Sequence, residues 1–125
     1  MAVEKGPYLD WSSLSSADLT EAQYTFVEFS DVDHVKAVDS VDDFALGILQ
    51  NSPAEGDVAD VRLTGISKVK LGGTVALNDG IGSNASGLGV KAATGKRVYG
   101  RALEAGVSGQ IISVAINFVT PTAAA

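Results

Sequence analysis

The sequence predicts an all-β protein, a small barrel or sandwich built from two similar halves. One stretch of the chain is written twice, because residues 47–63 align without a gap with residues 100–116 and Gly47 falls on Gly100. Short runs of β-branched and aromatic residues alternate with turns rich in Gly, Asn and Asp. The 125 residues are 46% hydrophobic but only 6% aromatic, which favours a core of small side chains in short strands.

The repeated unit consists of a strand, a glycine, a polar turn and a second strand. Upstream, Val35-Lys36-Ala37 matches Val90-Lys91-Ala92, which extends the repeat to residues 34–63 and 89–116. Two copies are too few for a solenoid, so we predict that both halves close around one shared interior in a β domain of residues 21–119. Such an architecture is typical of a packing module and not of a catalyst.

Residues 1–20 differ from the repeat because they are rich in Ser and acidic residues and show no strand alternation. We predict an extended N-terminal arm, in which Ser15 could cap a short helix that ends at Ala22. Large apolar residues in such an arm either fold back on the domain or anchor a partner. The hypothesised partner contacts are Tyr8, Leu9, Trp11 and Leu14.

Turn and strand signals predict eight or nine short strands between this arm and a C-terminal tail of residues 120–125. The clearest strand places Ile112, Val114 and Ile116 on one face. A shift of one residue in the alignment of the two copies would place every matched side chain on the opposite face of its strand. The agreement of apolar positions between the copies therefore supports the predicted strands. Residues 78–89 are predicted to form a long loop. The predicted strands are 24–29, 35–38, 44–49, 57–63, 66–71, 74–77, 88–93, 98–104 and 110–118.

Charge and composition exclude several classes of partner. The net charge of −6 argues against nucleic acid, and Lys96-Arg97 is too short a basic run to change that expectation. The chain contains no Cys, so disulfides and thiolate metal sites are excluded. No apolar run approaches the roughly 20 residues that span a bilayer. We expect a protein without a membrane or nucleic-acid partner, synthesised in a cytoplasm.

No arrangement of residues predicts an enzyme, a cofactor or a metal site. His34 is the only histidine, and the chain lacks a Gly-x-Ser-x-Gly elbow. An EF-hand among the aspartates of residues 31–43 would need glycine where Lys36 stands and glutamate where Asp42 stands. These aspartates are therefore interpreted as turn residues. Residues 93–97 lack the spacing of a phosphate-binding loop.

Two segments resemble a known family, the capsid cement or head decoration proteins of tailed bacteriophages. One segment is Phe44-Ala45-Leu46-Gly47-Ile48-Leu49 followed by the strand of residues 56–65. The other is Val98-Tyr99-Gly100-Arg101-Ala102-Leu103-Glu104-Ala105-Gly106 followed by the strand of residues 109–114. Together the resemblance covers residues 44–118.

The resemblance implies a β-rich protein without enzyme activity that binds the outer surface of the major capsid protein lattice. It implies trimers at three-fold positions that stabilise the expanded shell of the virion. It supplies no catalytic residues. Two alternatives stay open: another virion component such as a tail or head-fibre protein, and a carbohydrate-binding module that uses Trp11 and Tyr24 as sugar platforms.

Overall fold

A computed structural model describes residues 8–124, which form β-strands and turns without a helix. This confirms the predicted all-β class. Within residues 8–124, no helical segment has the length and apolar character that a bilayer crossing requires. The strands are β1 (Leu9–Ser15), β2 (Phe26–Asp31), β3 (His34–Ala37), β4 (Gly47–Leu49), β5 (Val58–Lys70), β6 (Gly80–Ser83), β7 (Gly89–Lys91), β8 (Arg97–Val98), β9 (Gly100–Ala102), β10 (Ile111–Asn117) and β11 (Thr122–Ala123).

The first five strands form a closed barrel. The order β1-β3-β2-β4-β5 returns to its start because β1 also pairs antiparallel with β5. The only parallel pair of this ring joins β1 to β3. Closure leaves the apolar residues of these strands facing one another inside the ring. The cluster inside consists of Leu19, Val27, Val35, Leu49, Ala59 and Val61.

The second half of the chain repeats these pairings in the same register. Leu49 of β4 lies opposite Val61 of β5, and Ala102 of β9 lies opposite Val114 of β10. The glycine of the turn that precedes each second strand has a φ of 88° in both copies. The two halves are therefore structural repeats, as the sequence predicted.

Strand β5 belongs to both repeats. Its first half pairs with β4 and β1, and its second half pairs with β10. The β1–β3 contact of Ser15 with Val35 has a counterpart in the parallel bridge between Leu71 and Gly89. The second half of β5 thus takes the place in the second repeat that β1 takes in the first. The structural repeats span residues 9–64 and 65–117, more than the sequence match.

An aromatic cluster joins the two repeats. The rings of Tyr99 and Phe118 stack with centroids 4.6 Å apart, and Phe26 lies 5.8 Å and 5.7 Å from them. The Tyr99 hydroxyl accepts a hydrogen bond of 3.0 Å from the Ala45 amide. These residues belong to a second apolar cluster, separate from the first. The expected single interior is therefore divided in two.

The predicted arm is part of the barrel over its described residues. β1 pairs with β5 from Leu9 to Leu14. The inward positions Ser13 and Ser15 are buried although they are polar, and so the segment has no apolar alternation to reveal a strand. No helix follows, and the Ser15 hydroxyl instead donates to the Ala17 carbonyl. Residues 1–7 of the predicted arm lie outside the described residues.

Other boundaries differ from the predicted ones. The expected strands 57–63 and 66–71 are one continuous β5, and the expected strand 74–77 contributes only a bridge from Val75 to Gly106. The expected loop 78–89 contains β6, and β11 pairs with β8 inside the expected tail. The upstream match is displaced by one residue, because equivalent pairings align Val35 with Gly89 and not with Val90.

Candidate partner-binding surface

Strand β1 distributes the predicted contact residues over two sides of the barrel wall. Trp11 lies on the side of Ser13, whose hydroxyl accepts a 2.8 Å hydrogen bond from the indole Nε1. Leu14 lies on the other side, opposite Val58 of β5. Leu9, Trp11 and Leu14 are exposed, Trp11 by 45%. The structure therefore does not bring the four predicted residues together in one patch.

Tyr8 contacts the protein itself. Its ring centroid lies 3.8 Å from the guanidinium carbon of Arg62, a cation–π contact. Arg62 is buried and donates to Asp10 through Nε (2.9 Å) and Nη2 (3.3 Å), and to the Ile66 carbonyl through Nη1 (3.1 Å). This set of contacts attaches the beginning of β1 to β5.

An apolar rim surrounds one open end of the first barrel. It encloses a pocket of about 240 Å³, and Phe29, Phe44 and Val119 are each more than half exposed there. Strand register places Trp11 at the same end, because Trp11 lies opposite Val61 and Leu63 follows Val61 on the same side. Exposed apolar patches of this kind mark interaction sites. We define the apolar rim as five pocket-lining residues together with Trp11 at the same barrel end: Phe29, Phe44, Leu46, Leu63, Val119 and Trp11.

The sequence identified only one member of this rim. Trp11 is conspicuous in the sequence because this large aromatic residue stands among polar neighbours. Phe29 and Phe44 fall in the predicted strands 24–29 and 44–49, and alternation alone does not distinguish a position inside a barrel from one at its mouth. The guanidinium carbon of Arg97 lies 4.5 Å from the Phe44 ring centroid and fixes that ring at the rim.

Three carboxylates from the first repeat lie close together beside a lysine. Ligand oxygens of Glu28, Asp39 and Asp43 all lie within 4.8 Å of one another. Lys36 Nζ lies 3.5 Å from Glu28 Oε1 and 3.1 Å from Asp39 Oδ2. The cluster thus contains an internal cation, and the absence of a metal site stays a prediction.

Burial changes the titration of this cluster. It raises the pKa of Glu28 to about 7, and a hydrogen bond to Asp43 and the charge of Asp43 act in the same direction. The hydrogen bond from Glu28 lowers the pKa of Asp43 in turn. A protonated Glu28 therefore donates to an ionised Asp43 at mildly acidic pH.

Replacing Glu28 with Gln is expected to stabilise the protein at pH 8 and to leave it unchanged at pH 4.5. A carboxyl group with a raised pKa contributes its full stability below the unfolded value near 4.5 and loses it as pH rises through about 7. The loss amounts to roughly 3–4 kcal/mol, since the pKa rises from 4.5 to about 7 and each pKa unit is worth about 1.4 kcal/mol. Urea unfolding at both pH values measures it, and exposed Glu55→Gln is the control. Parallel pH profiles for wild type and Glu28→Gln would contradict this assignment.

The remaining candidate residues lie at separate places. The His34 ring Nδ1 lies 2.9 Å from the Val32 carbonyl within the β2–β3 hairpin. Tyr24 lies between the repeats, where its carbonyl accepts from the Lys70 amide and the Lys68 ammonium lies 5.6 Å from its ring. Tyr24 and Trp11, the predicted sugar platforms, therefore stand on different elements.

Comparison with known proteins identifies the fold. The crystal structure of the head fiber gp8.5 N base in bacteriophage phi29 superimposes with a TM-score of 0.67. The alignment covers 90% of this chain and 96% of that chain at 16% sequence identity. No family model and no curated protein sequence matches the chain. At this identity the comparison shows a common fold.

The structural similarity is broader than the sequence resemblance. The sequence resemblance covers residues 44–118, whereas the superposition covers 90% of the chain and therefore extends into the segment predicted as an arm. Strand β1, with Trp11 and Leu14, lies in that segment. The shared fold consequently extends beyond the residues that carry the sequence resemblance.

Proposed function

We propose that this protein is a non-enzymatic decoration protein of a tailed-phage head. It binds the outer surface of the major capsid protein lattice and stabilises the expanded shell. The single observation that carries the proposal is the fold, which is shared over 90% of the chain with a protein described as a phage head fiber base. The sequence resemblance of residues 44–118 to decoration proteins supports the same conclusion.

The apolar rim is the proposed capsid contact. A ring of exposed apolar side chains at a barrel end can fill pockets of a partner with few polar groups to desolvate. Trimers at three-fold positions would present three rims to the shell, so modest contacts add up through multivalency. The protein is then made in the host cytoplasm and resides on the outer capsid surface of the virion.

Binding to empty, expanded heads tests the proposal. Trp11→Ala and Phe44→Ser are each expected to weaken binding at least tenfold, because truncating a central aromatic contact costs about 2 kcal/mol or more. Leu77→Ser is the matched control, since Leu77 is 66% exposed but lies outside the rim. Co-sedimentation with heads measures the affinity and the copy number. Equal binding by all three variants would exclude the rim as the contact.

Point substitutions are required in place of an N-terminal truncation. Deleting residues 1–20 removes β1, which closes the first barrel, and a loss of binding would then report unfolding. Circular dichroism and thermal unfolding of each variant verify that the fold is retained.

A head-fibre base is the second candidate, favoured by the similarity to the phi29 head fiber base. Such a base would attach a projecting fibre to the head instead of covering the shell. Immunogold labelling of virions separates the two functions, because a decoration protein labels the lattice uniformly whereas a fibre base labels separate projections.

A further inference from the structure

The charges of this protein are separated by repeat. Residues 8–64 contain twelve Asp and Glu against two Lys and Arg, whereas residues 65–124 contain two Asp and Glu against six Lys and Arg. The first repeat therefore has a net charge of −10 and the second a net charge of +4. The overall charge of −6 conceals a strongly dipolar molecule.

Three of the six positive charges of the second repeat lie on the outward side of adjacent strands. Lys68 and Lys70 of β5 alternate with the buried Val69, and Arg101 of β9 shares its side with Ala115 of β10. Among residues 8–124 the salt bridges use other cations, namely those of Lys36, Arg62, Lys91 and Lys96. Exposed Ile111, opposite Lys70, adds apolar area to this face. The basic face is defined by Lys68, Lys70, Arg101 and Ile111.

The equivalent face of the first repeat carries the opposite charge. Leu14 and Val58 form an exposed pair there, and they stand where Lys70 and Ile111 stand in the second repeat. Asp60 lies next along the outward side of β5, and the exposed Asp57 precedes that strand. The acidic face is defined by Leu14, Asp57, Val58 and Asp60.

We propose that the basic face of one copy binds the acidic face of a second copy. Both faces combine exposed apolar side chains with charges, and the charges are of opposite sign. Because the two faces differ, the contact is heterologous, and an open assembly retains one free basic face and one free acidic face until a ring closes. Long-range attraction between opposite charges aligns the copies head to tail. The inference extends the proposed self-association and is independent of capsid binding.

Sedimentation equilibrium of the purified full chain tests the inference without heads, so that its failure is distinct from a failure of capsid binding. We expect association at 20 mM salt and at least a tenfold weaker constant at 500 mM salt, where screening shortens the reach of the charges. A protein that is monomeric at 20 mM salt over the accessible concentrations, or an oligomer indifferent to salt, would overturn the inference.

Two double variants with the same net charge provide the matched comparison. Lys68→Gln with Lys70→Gln removes two positive charges from the basic face, and Ser52→Glu with Ala54→Glu adds two negative charges to exposed positions of the acidic repeat. We expect the first pair to weaken association at least tenfold and the second pair to preserve it. Equal effects would show that total charge is responsible and would overturn the inference.

A variant of the acidic face tests the inference independently, in case the double lysine variant does not fold. Asp57→Asn with Asp60→Asn lowers the net negative charge, which by itself would reduce repulsion between copies. If the copies associate head to tail, this variant should nevertheless associate at least tenfold more weakly, because its acidic face has lost two charges. Arg101→Gln, at an exposed position, is the second test of the basic face. Tighter association of either variant would overturn the inference.

Discussion

Replacing Gly47 with Ala is expected to lower the free energy of unfolding by about 3 kcal/mol or more, or to prevent folding altogether. A Cβ at this position would lie 2.6 Å from Val61 Cγ1 and would also overlap the Arg62 carbonyl oxygen. Both atoms belong to β5, which pairs with β4 on one side and β1 on the other. The carbonyl cannot move away without breaking the closed ring.

The second repeat provides an independent test of the same requirement. A Cβ on Gly100 would lie 2.7 Å from Val114 Cγ1 and 2.6 Å from the Ala115 carbonyl oxygen, so Gly100→Ala should be as damaging. Gly73→Ala is the control, because its nearest neighbour would be Val90 Cγ1 at an ordinary 3.6 Å. Urea unfolding followed by circular dichroism measures all three. Wild-type stability of Gly47→Ala would show that the strands are not packed as described.

The duplication was predictable because the matching residues are those that packing constrains in the same way in both copies. The glycine of each copy faces a valine of the paired strand, and a strand period of two fixes which residues point inward. Val61 and Val114 had to fall on equivalent faces, and the structure places them so. Both copies must keep a glycine where the paired strand leaves no room for a Cβ. The repeat is therefore recognisable even though its residues are mostly Ala, Gly and Val.

The first strand of the duplication was not predictable from the same signal. Its inward positions Ser13 and Ser15 correspond to Val69 and Leu71 in the second repeat. These serines fill the space inside the first barrel, but they give the sequence of β1 no hydrophobic alternation. The sequence of β1 therefore resembles that of an extended arm. Only the pairing of this segment with β5 in the folded protein identifies it as a strand.

The candidate surface was predictable in part for a related reason. An aromatic residue in a polar context, such as Trp11, is conspicuous in the sequence. Exposure of Phe29 and Phe44 depends on where the barrel ends, which is a tertiary property. The charge separation is present in the sequence itself, but it appears only when charges are summed over the structural repeats, whose boundary lies inside β5.

Replacing Asp10 with Ala is expected to lower the free energy of unfolding by about 2–3 kcal/mol. The Arg62 side chain is 5% exposed, and Asp10 accepts two of its hydrogen bonds. Removing the carboxylate takes two charge-assisted hydrogen bonds from a buried positive charge, and breaking one side of a buried pair is strongly destabilising. The beginning of β1 is then held less firmly, and with it Trp11 of the apolar rim. Thermal and urea unfolding measure the loss, with Asp57→Ala as the exposed control, for which a change within about 0.5 kcal/mol is expected.

A double-mutant cycle identifies the buried charge as the cause. Combining Asp10→Ala with Arg62→Met removes both members of the pair and replaces the arginine with an unbranched, uncharged side chain. Because a buried charge that has lost a carboxylate partner is costlier than a buried apolar group, the double variant should be more stable than Asp10→Ala alone. Additive losses would instead mean that Asp10 stabilises β1 through something other than Arg62. The cycle therefore separates an electrostatic anchor from simple packing at the strand by which the first barrel closes.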